Sequence, residues 1–347
     1  MTAPGLTSET VRRLAADCGF ELAGVARAEP AEDRYRYHQW VAAGYAGEMG
    51  YLTDRRAALR DDPRQLLPSA RSVISVGRLY NTPWPYSTQF DASGCGWISR
   101  YAWGSDYHTE MRTRLERLEG RLRDYAGPME ARILVDTAPL LERTYARLGG
   151  LGWIGKNTCL INQQRGSWFF LGELLVSIGI EPDAAPPDRC GTCTRCIDAC
   201  PTGALVPSGS GYRLDSRLCI SYFTIELRGS VPEEHRAGIG AHVFGCDICQ
   251  DVCPWNRRAP ETADTAYSPR RFAAPLAEMA GLSESDFREM FHESPVTRAR
   301  YAGFLRNVAI AMGNVGRAEY RPALERLAAF EDPVVAESAK WGLRQLP

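Results

Sequence analysis

The stretch Cys190-Gly-Thr-Cys193-Thr-Arg-Cys196-Ile-Asp-Ala-Cys200-Pro201 decides how the rest of the chain is read. Three cysteines at successive x2 spacing, then x3 and Cys-Pro, form the run of bacterial two-cluster ferredoxins. There three thiolates hold one cubane and the fourth, turned away at the proline, ligates the other. Such a run needs a second group, and Cys246-x2-Cys249-x3-Cys253-Pro254 supplies it. Position 243, where a further cysteine would complete that group, is Val, and Cys219 is the natural substitute. The expected ligand sets are Cys190, Cys193, Cys196 and Cys253 for one [4Fe-4S] cluster, and Cys200, Cys219, Cys246 and Cys249 for the other. The rival is a pair of four-thiolate zinc sites, whose ligands usually come as two separated C-x2-C pairs. Cys18, Cys95 and Cys159 are scattered and read as core residues.

Outward from this run, the chain of 347 residues has ordinary globular composition: 44% apolar, 24% charged, 41 Lys+Arg against 42 Asp+Glu. It is long enough for two to three domains without disulfide staples. No stretch holds 18 uninterrupted apolar residues, and the start Met-Thr-Ala-Pro-Gly lacks a basic then apolar leader. The expectation is a cytoplasmic protein that neither spans a membrane nor is secreted. A net charge of -1 gives no global attraction for nucleic acid, so any such binding needs a local basic patch. Arg298, Arg300 and Arg306 have no acidic residue between them, and Arg228 follows the run Cys219-Ile-Ser-Tyr-Phe-Thr-Ile-Glu-Leu. These are the candidates for phosphate contact; Trp84, Tyr86, Trp97 and Trp103 are candidates for base stacking or for lining a pocket.

Residues 8 to 26 predict a Ser-capped amphipathic helix ending near Gly19, then a short strand. Ser72 to Val76 and Ala131 to Val135 read as strands, and 108 to 126 as a solvated amphipathic helix. Apolar runs at Thr158 to Ile161 and Trp168 to Ile178 complete a plausible central sheet. No G-x-G-x-x-G or Walker sequence appears, so nicotinamide, Rossmann-type flavin and P-loop ATP sites are unsupported. After 260 the pattern is helical, at 282 to 292, 297 to 313, 321 to 330 and 333 to 345, similar to one HEAT-type helix pair. A single pair must dock on the body to bury its face. The fold class is α+β with an α/β-like core, divided as 1–185, a ferredoxin-like module at 186–260 and a helical tail at 261–347.

Ile98-Ser-Arg-Tyr-Ala-Trp-Gly-Ser-Asp-Tyr-His108, Val135-Asp136-Thr-Ala-Pro139, Gly152-Trp-Ile-Gly-Lys-Asn157 and Cys246-Asp-Ile-Cys-Gln-Asp-Val-Cys-Pro-Trp-Asn256, together with the cysteine run, resemble the epoxyqueuosine reductases over nearly the whole chain. The resemblance implies a monomeric oxidoreductase that takes the last step of queuosine biosynthesis, removing the epoxide oxygen of epoxyqueuosine at the wobble position of a tRNA anticodon. It implies two [4Fe-4S] clusters, base-off cobalamin and an external electron donor. It also implies a cobalamin-binding core at 1–185, with Arg60, Ser99, Asp136, Leu171, Ser221 and Asp247 near the corrin, and a basic residue at Arg228 against tRNA. Some members have Cys where this chain has Ser99, so no thiolate chemistry is expected there.

Reductive opening of an epoxide to an alkene takes two electrons and protonates an oxygen leaving group. Asp136, at a strand end after Ile133-Leu-Val135, is the candidate acid, its pKa raised by partial desolvation. The competing role is an N-cap for the following helix. Two other functions stand beside this one: a cobalamin-dependent reductive dehalogenase, which usually carries a twin-arginine export signal, and a plain electron-transfer ferredoxin. Arg12-Arg13 lie within an amphipathic helix with no apolar segment after it, and some 185 residues precede the cysteines, far more than an electron carrier needs.

Overall fold

The computed structural model describes residues 5–90, 94–209 and 211–347. Met1–Pro4, most of the start read for a leader, lie outside the described residues. Helix α1 (Ser8–Asp17) leads into strand β1 (Leu22–Arg27), and β2 (Ser72–Leu79) follows after a helical turn-rich segment. Helix α2 (Tyr107–Ala126), β3 (Ala131–Leu134), α3 (Glu142–Leu148) and β4 (Phe169–Val176) complete the body. The sheet order is β1-β2-β4-β3, antiparallel throughout. This is an α+β arrangement, without the parallel crossovers that an α/β-like core would carry.

Two helical layers cover the sheet, which is why β2 and β4 read as nearly continuous apolar runs rather than alternating ones. Met111, Leu115, Leu118 and Leu122 line one stripe of α2 and pack with Val11 and Leu14 of α1 on Ile74, Val76, Leu174 and Val176. The opposite face presents Val73 and Leu175 to Tyr145 of α3. Glu173 shares that second face by the period of two, and its register partners are Ser75 and Leu134.

Several boundaries differ from expectation for identifiable reasons. Thr7, not Ser8, caps α1, its Oγ1 accepting from the Thr10 amide at 3.2 Å. Leu160–Ile161 does not join the central sheet; it pairs with Trp153–Ile154 as a separate two-stranded piece. The cysteine-rich region is mostly irregular, with short helices Arg195–Asp198 and Ile248–Asp251, a hairpin of Leu205–Ser208 with Gly211–Leu214, and a π-helical turn at Tyr222–Glu226.

The C-terminal region is helical, as expected, with one helix more than the periodicity predicts, Leu276–Gly281. Beyond Glu284–Met290 come α4 (Arg300–Val315), α5 (Arg321–Ala328) and α6 (Pro333–Gln345). Asp332 caps α6 with Pro333 at its first position, and Gly316 closes α4 in the left-handed region at φ +68°. α4 and α6 approach so closely that a methyl on Gly313 would meet Gly342 Cα at 2.8 Å. The tail docks through buried polar groups: Asn307 Nδ2 donates to the carbonyls of Thr224 at 2.8 Å and Val243 at 2.9 Å. Arg306, expected on a basic surface, is buried and gives its Nη1 to Leu227 O and Gly229 O, both at 2.8 Å. Among the described residues no helix is long and apolar enough to cross a membrane.

Candidate functional site

Asp136 sits just beyond β3 with φ +47°, a left-handed conformation that Asp tolerates better than most residues. Its amide donates to Glu142 Oε1 at 2.6 Å. The helix that follows starts at Glu142 behind Leu141, without a side-chain cap, so Asp136 is not its N-cap. The carboxyl, 44% exposed, points instead at His108: Asp136 Oδ2 and His108 Nε2 are 3.1 Å apart.

His108 is held by its own helix terminus. Asp106 caps α2, its Oδ1 taking the His108 amide at 3.0 Å and lying 2.7 Å from His108 Nδ1. The imidazole stacks on Tyr107 with centroids 4.1 Å apart, and Tyr107 stacks on Phe170 of β4 at 4.2 Å. The ring is thereby fixed between two carboxylates. Burial works against charge on His108, but the bonds to Asp106 and Asp136 outweigh it and push its pKa up to about 9. For Asp136, burial acts upward, yet the hydrogen bond and charge of His108 and the charge of Arg298 bring it below the ordinary carboxyl value. The expectation that desolvation would raise Asp136 is thus corrected: at neutral pH the pair is Asp136 carboxylate with His108 imidazolium, and the proton is on His108.

Arg298 brings a second expectation to the same place. Its Nε pairs with Glu226 Oε1 at 2.7 Å, and its guanidinium lies over Tyr51 at 5.3 Å. Arg228 and Arg300 stand close enough that their charges, with Arg298, bear on one another. Arg228 donates to Ile225 O at 3.2 Å and Ala299 O at 3.3 Å, and Arg300 is exposed at φ +60°. Three of the arginines expected to meet nucleic acid therefore gather together, and one of them, Arg298, bears on Asp136. Of the aromatics, Trp97 and Trp103 are buried against Phe272, and only Trp84, 43% exposed, offers a large open face.

The residues expected near a corrin are held as follows. Ser99 and Asp247 are buried together, the hydroxyl donating to Asp247 Oδ1 at 2.5 Å, while Asp247 Oδ2 takes the Arg100 amide at 2.8 Å and Trp97 Nε1 at 3.3 Å. Arg60 is buried elsewhere, bound to Arg56 O and Tyr51 O. Leu171 lies on β4 opposite Gly77, and Ser221 precedes the π-helical turn. Of Arg60, Ser99, Ser221 and Asp247, none has a buried side-chain atom left without a partner.

The thiols do fall into two neighbourhoods. Cys196 feels Cys253, Cys190 and Cys193; Cys246 feels Cys219 and Cys200; and Cys249 feels Cys246 and Cys219. Cys159, expected as a core residue, lies against Cys249. Burial and the neighbouring thiols push Cys196 and Cys253 up to about 11 and raise Cys246. Among the described residues no group of three or more His, Cys, Asp or Glu is placed to hold a metal ion. The expected cofactor set, two [4Fe-4S] clusters and base-off cobalamin, is corrected accordingly: the residues as placed do not fit it.

Glu142, Glu173, Glu226, Tyr107 and His108 carried no role in the sequence. A signal existed for two of them: Glu173 is the one acid in the apolar run Trp168 to Ile178, and Asp106-x-His108 opens an amphipathic helix.

Comparison with known proteins bears on the whole chain. Residues 60–137, which end just past Asp136, match the family model described as "Epoxyqueuosine reductase QueG, DUF1730", and residues 189–256 match "4Fe-4S double cluster binding domain". The second match concerns the run of cysteines; the placement of their side chains is what fails the expectation. An epoxyqueuosine reductase of Pseudomonas aeruginosa is 41% identical over 349 residues, covering 99% of this chain and 95% of that protein. One from Xanthomonas campestris is 39% identical over 341 residues, covering 96% and 95%. Among solved structures, an epoxyqueuosine reductase with an epoxyqueuosine-modified tRNA stem loop superposes with TM-score 0.88 at 29% identity, covering 97% of this chain and 89% of that one. The Bacillus subtilis enzyme, with the loop bearing its catalytic aspartate swung out of the active site, gives 0.78 at 27% identity and 98% coverage of both. The chain belongs to the epoxyqueuosine reductase family, and carries an iron–sulfur domain in the segment 189–256.

Proposed function

We propose that this chain reduces epoxyqueuosine at the wobble position of a tRNA anticodon, with the Asp136–His108 pair as its proton source. The single observation that carries the assignment of roles is the 3.1 Å contact between Asp136 Oδ2 and His108 Nε2, made at the end of a segment that matches the reductase family. Both C–O bonds of the oxirane break and a C=C bond forms; two electrons and two protons are consumed and the oxygen leaves as water. An oxygen leaving as alkoxide is a strong base, and a proton donor fixed beside it speeds its departure by on the order of 10²- to 10⁴-fold. His108 holds that proton at neutral pH, and Asp136, in contact with the imidazolium and the more exposed of the two, passes it on.

The substrate is a polyanion, and Arg228, Arg298 and Arg300 form one cluster whose member Arg298 bears on the acid. We assign them to its phosphates, with Glu226 fixing the direction of Arg298. The iron–sulfur domain at 189–256 is assigned to the electron-carrying part of the chain, fed by an external one-electron donor. Residues 1–185 form the catalytic core, 186–260 the cysteine-rich unit and 261–347 a HEAT-like tail, in a cytoplasmic monomer.

Anaerobic incubation of the purified protein with an epoxyqueuosine-containing anticodon stem loop and a low-potential reductant tests the proposal. Mass spectrometry of the nucleosides should show loss of one oxygen atom from the modified base. Reductant consumption without any such product would overturn it.

A further inference from the structure

Glu173 is a carboxylic acid with no solvent exposure, on a central strand of the sheet, and no donor reaches either of its oxygens. A lone carboxylate in that position would be prohibitive, so the side chain keeps its proton. A group that can take up the resulting O–H is Glu142, at the start of α3, which interacts with Glu173 through its side chain. Glu142 in turn receives the Asp136 amide at 2.6 Å. Three acids are therefore stacked from the interior outward: a protonated Glu173, Glu142 between, and the Asp136 loop above.

We propose that Glu142, backed by Glu173, is the positioning residue that holds the Asp136 loop closed over the site, and that its ionisation tightens the hold. The loop needs holding. Asp136 is in a left-handed conformation, Thr137 turns directly back on Val135 O at 2.5 Å, and no regular element intervenes before α3. An ionised acceptor makes a stronger bond to an amide than a neutral one. Burial and the charge of Asp136 push Glu142 up to about 7, while the bond from the Asp136 amide, Arg143 of its own helix and the bond to Glu173 act the other way. Glu173 faces Glu142 and Asp136, and Tyr107 of α2 also lies near Glu142. The sign follows: above about 7 Glu142 is charged and the loop is held, and as pH falls through that value the bond weakens. Such a device uses the interior acid pair to set when the proton-donating loop is in place, resting on Asp136 as the group that delivers the proton.

The test uses the full-length enzyme, with two readouts. Amide hydrogen exchange of the peptide spanning 135–141 reports the loop without turnover, and single-turnover reduction of the stem loop as a function of pH reports its consequence. Glu142→Ala should exchange faster in that peptide and lose about tenfold in rate with tRNA affinity unchanged. Glu142→Gln keeps an acceptor oxygen without a titrating group, so exchange and rate should stay at the level of the wild type below pH 7 whatever the pH, and the fall in rate below about pH 7 disappears. Glu173→Leu removes the donor that favours the charged form, and should move that fall to higher pH. Wild-type exchange in Glu142→Ala, an unchanged rate despite faster exchange, or an acidic fall retained in Glu142→Gln would each overturn the inference. Failure of the parent assignment looks different: Asp136→Asn would then turn over normally, whatever the exchange pattern of Glu142 variants.

Discussion

Two pairs of acidic and titrating groups lie within one loop of each other, and their environments drive them in opposite directions. Outside, Asp136 is 44% exposed and faces His108, whose proton keeps the carboxyl ionised. Inside, Glu173 is wholly buried, faces another carboxyl, and stays protonated. The difference is the partner rather than the residue type. A cation at 3 Å fixes the charge on one carboxyl, and a second carboxyl in a dry interior removes it from the other. The outer pair can exchange a proton with a substrate; the inner pair can only set where the outer one sits.

The largest effect should come from breaking the outer pair. Asp136→Asn keeps the shape and hydrogen-bonding but neither carries the proton nor stabilises the imidazolium, so turnover should drop on the order of 10²-fold or more with tRNA binding retained. Wild-type turnover by quench-flow would reduce Asp136 to a loop residue. A smaller effect separates substrate contact from proton delivery. Arg228→Ala should weaken stem-loop binding and lower the slope of log affinity against log salt by roughly one, with bound substrate still converted at the normal rate. An unchanged slope would leave Arg228 a solvated charge. The smallest effect belongs to the inner pair. Glu173 holds its proton in the fold but has an ordinary value of 4.5 when unfolded, so the folded state binds more protons and stability falls as pH rises above about 4.5. Glu173→Gln abolishes that term. Its melting temperature should therefore gain on the wild type as pH goes from 5 to 8, by a few degrees; a constant difference would show that Glu173 is not protonated in the fold.

Much of this was visible before any coordinates. The helical stripes of α2 and of the tail follow from their spacing, and the strands β2 and β3 from apolar runs. Asp136 stands out because a charged residue ends such a run. What was not legible depended on groups far apart in sequence. His108 becomes a proton carrier only because the loop after β3 returns to the first turn of α2, 28 residues on. Arg306 looks like Arg298 in the sequence, but one falls on the buried face of α4, where three backbone carbonyls converge, and the other precedes that helix at the surface. The cysteine spacing was the strongest signal in the chain and matches a family model, whereas the placement of the thiol side chains depends on segments far apart in sequence, which spacing does not contain. The pairing of Leu160–Ile161 away from the main sheet was equally invisible, since a two-residue strand has no period.

The claim on which the rest depends is that the reactive proton resides on His108 and not on Asp136. The most direct measurement is the single-turnover rate against pH for the wild type and for His108→Gln, which keeps a hydrogen-bond donor without titrating. The wild-type rate should fall as pH rises through about 9, where His108 loses its proton, and that fall should be absent from a slower His108→Gln. An alkaline fall already complete near pH 5, as a carboxylic acid donor requires, or one unchanged in His108→Gln, would contradict it.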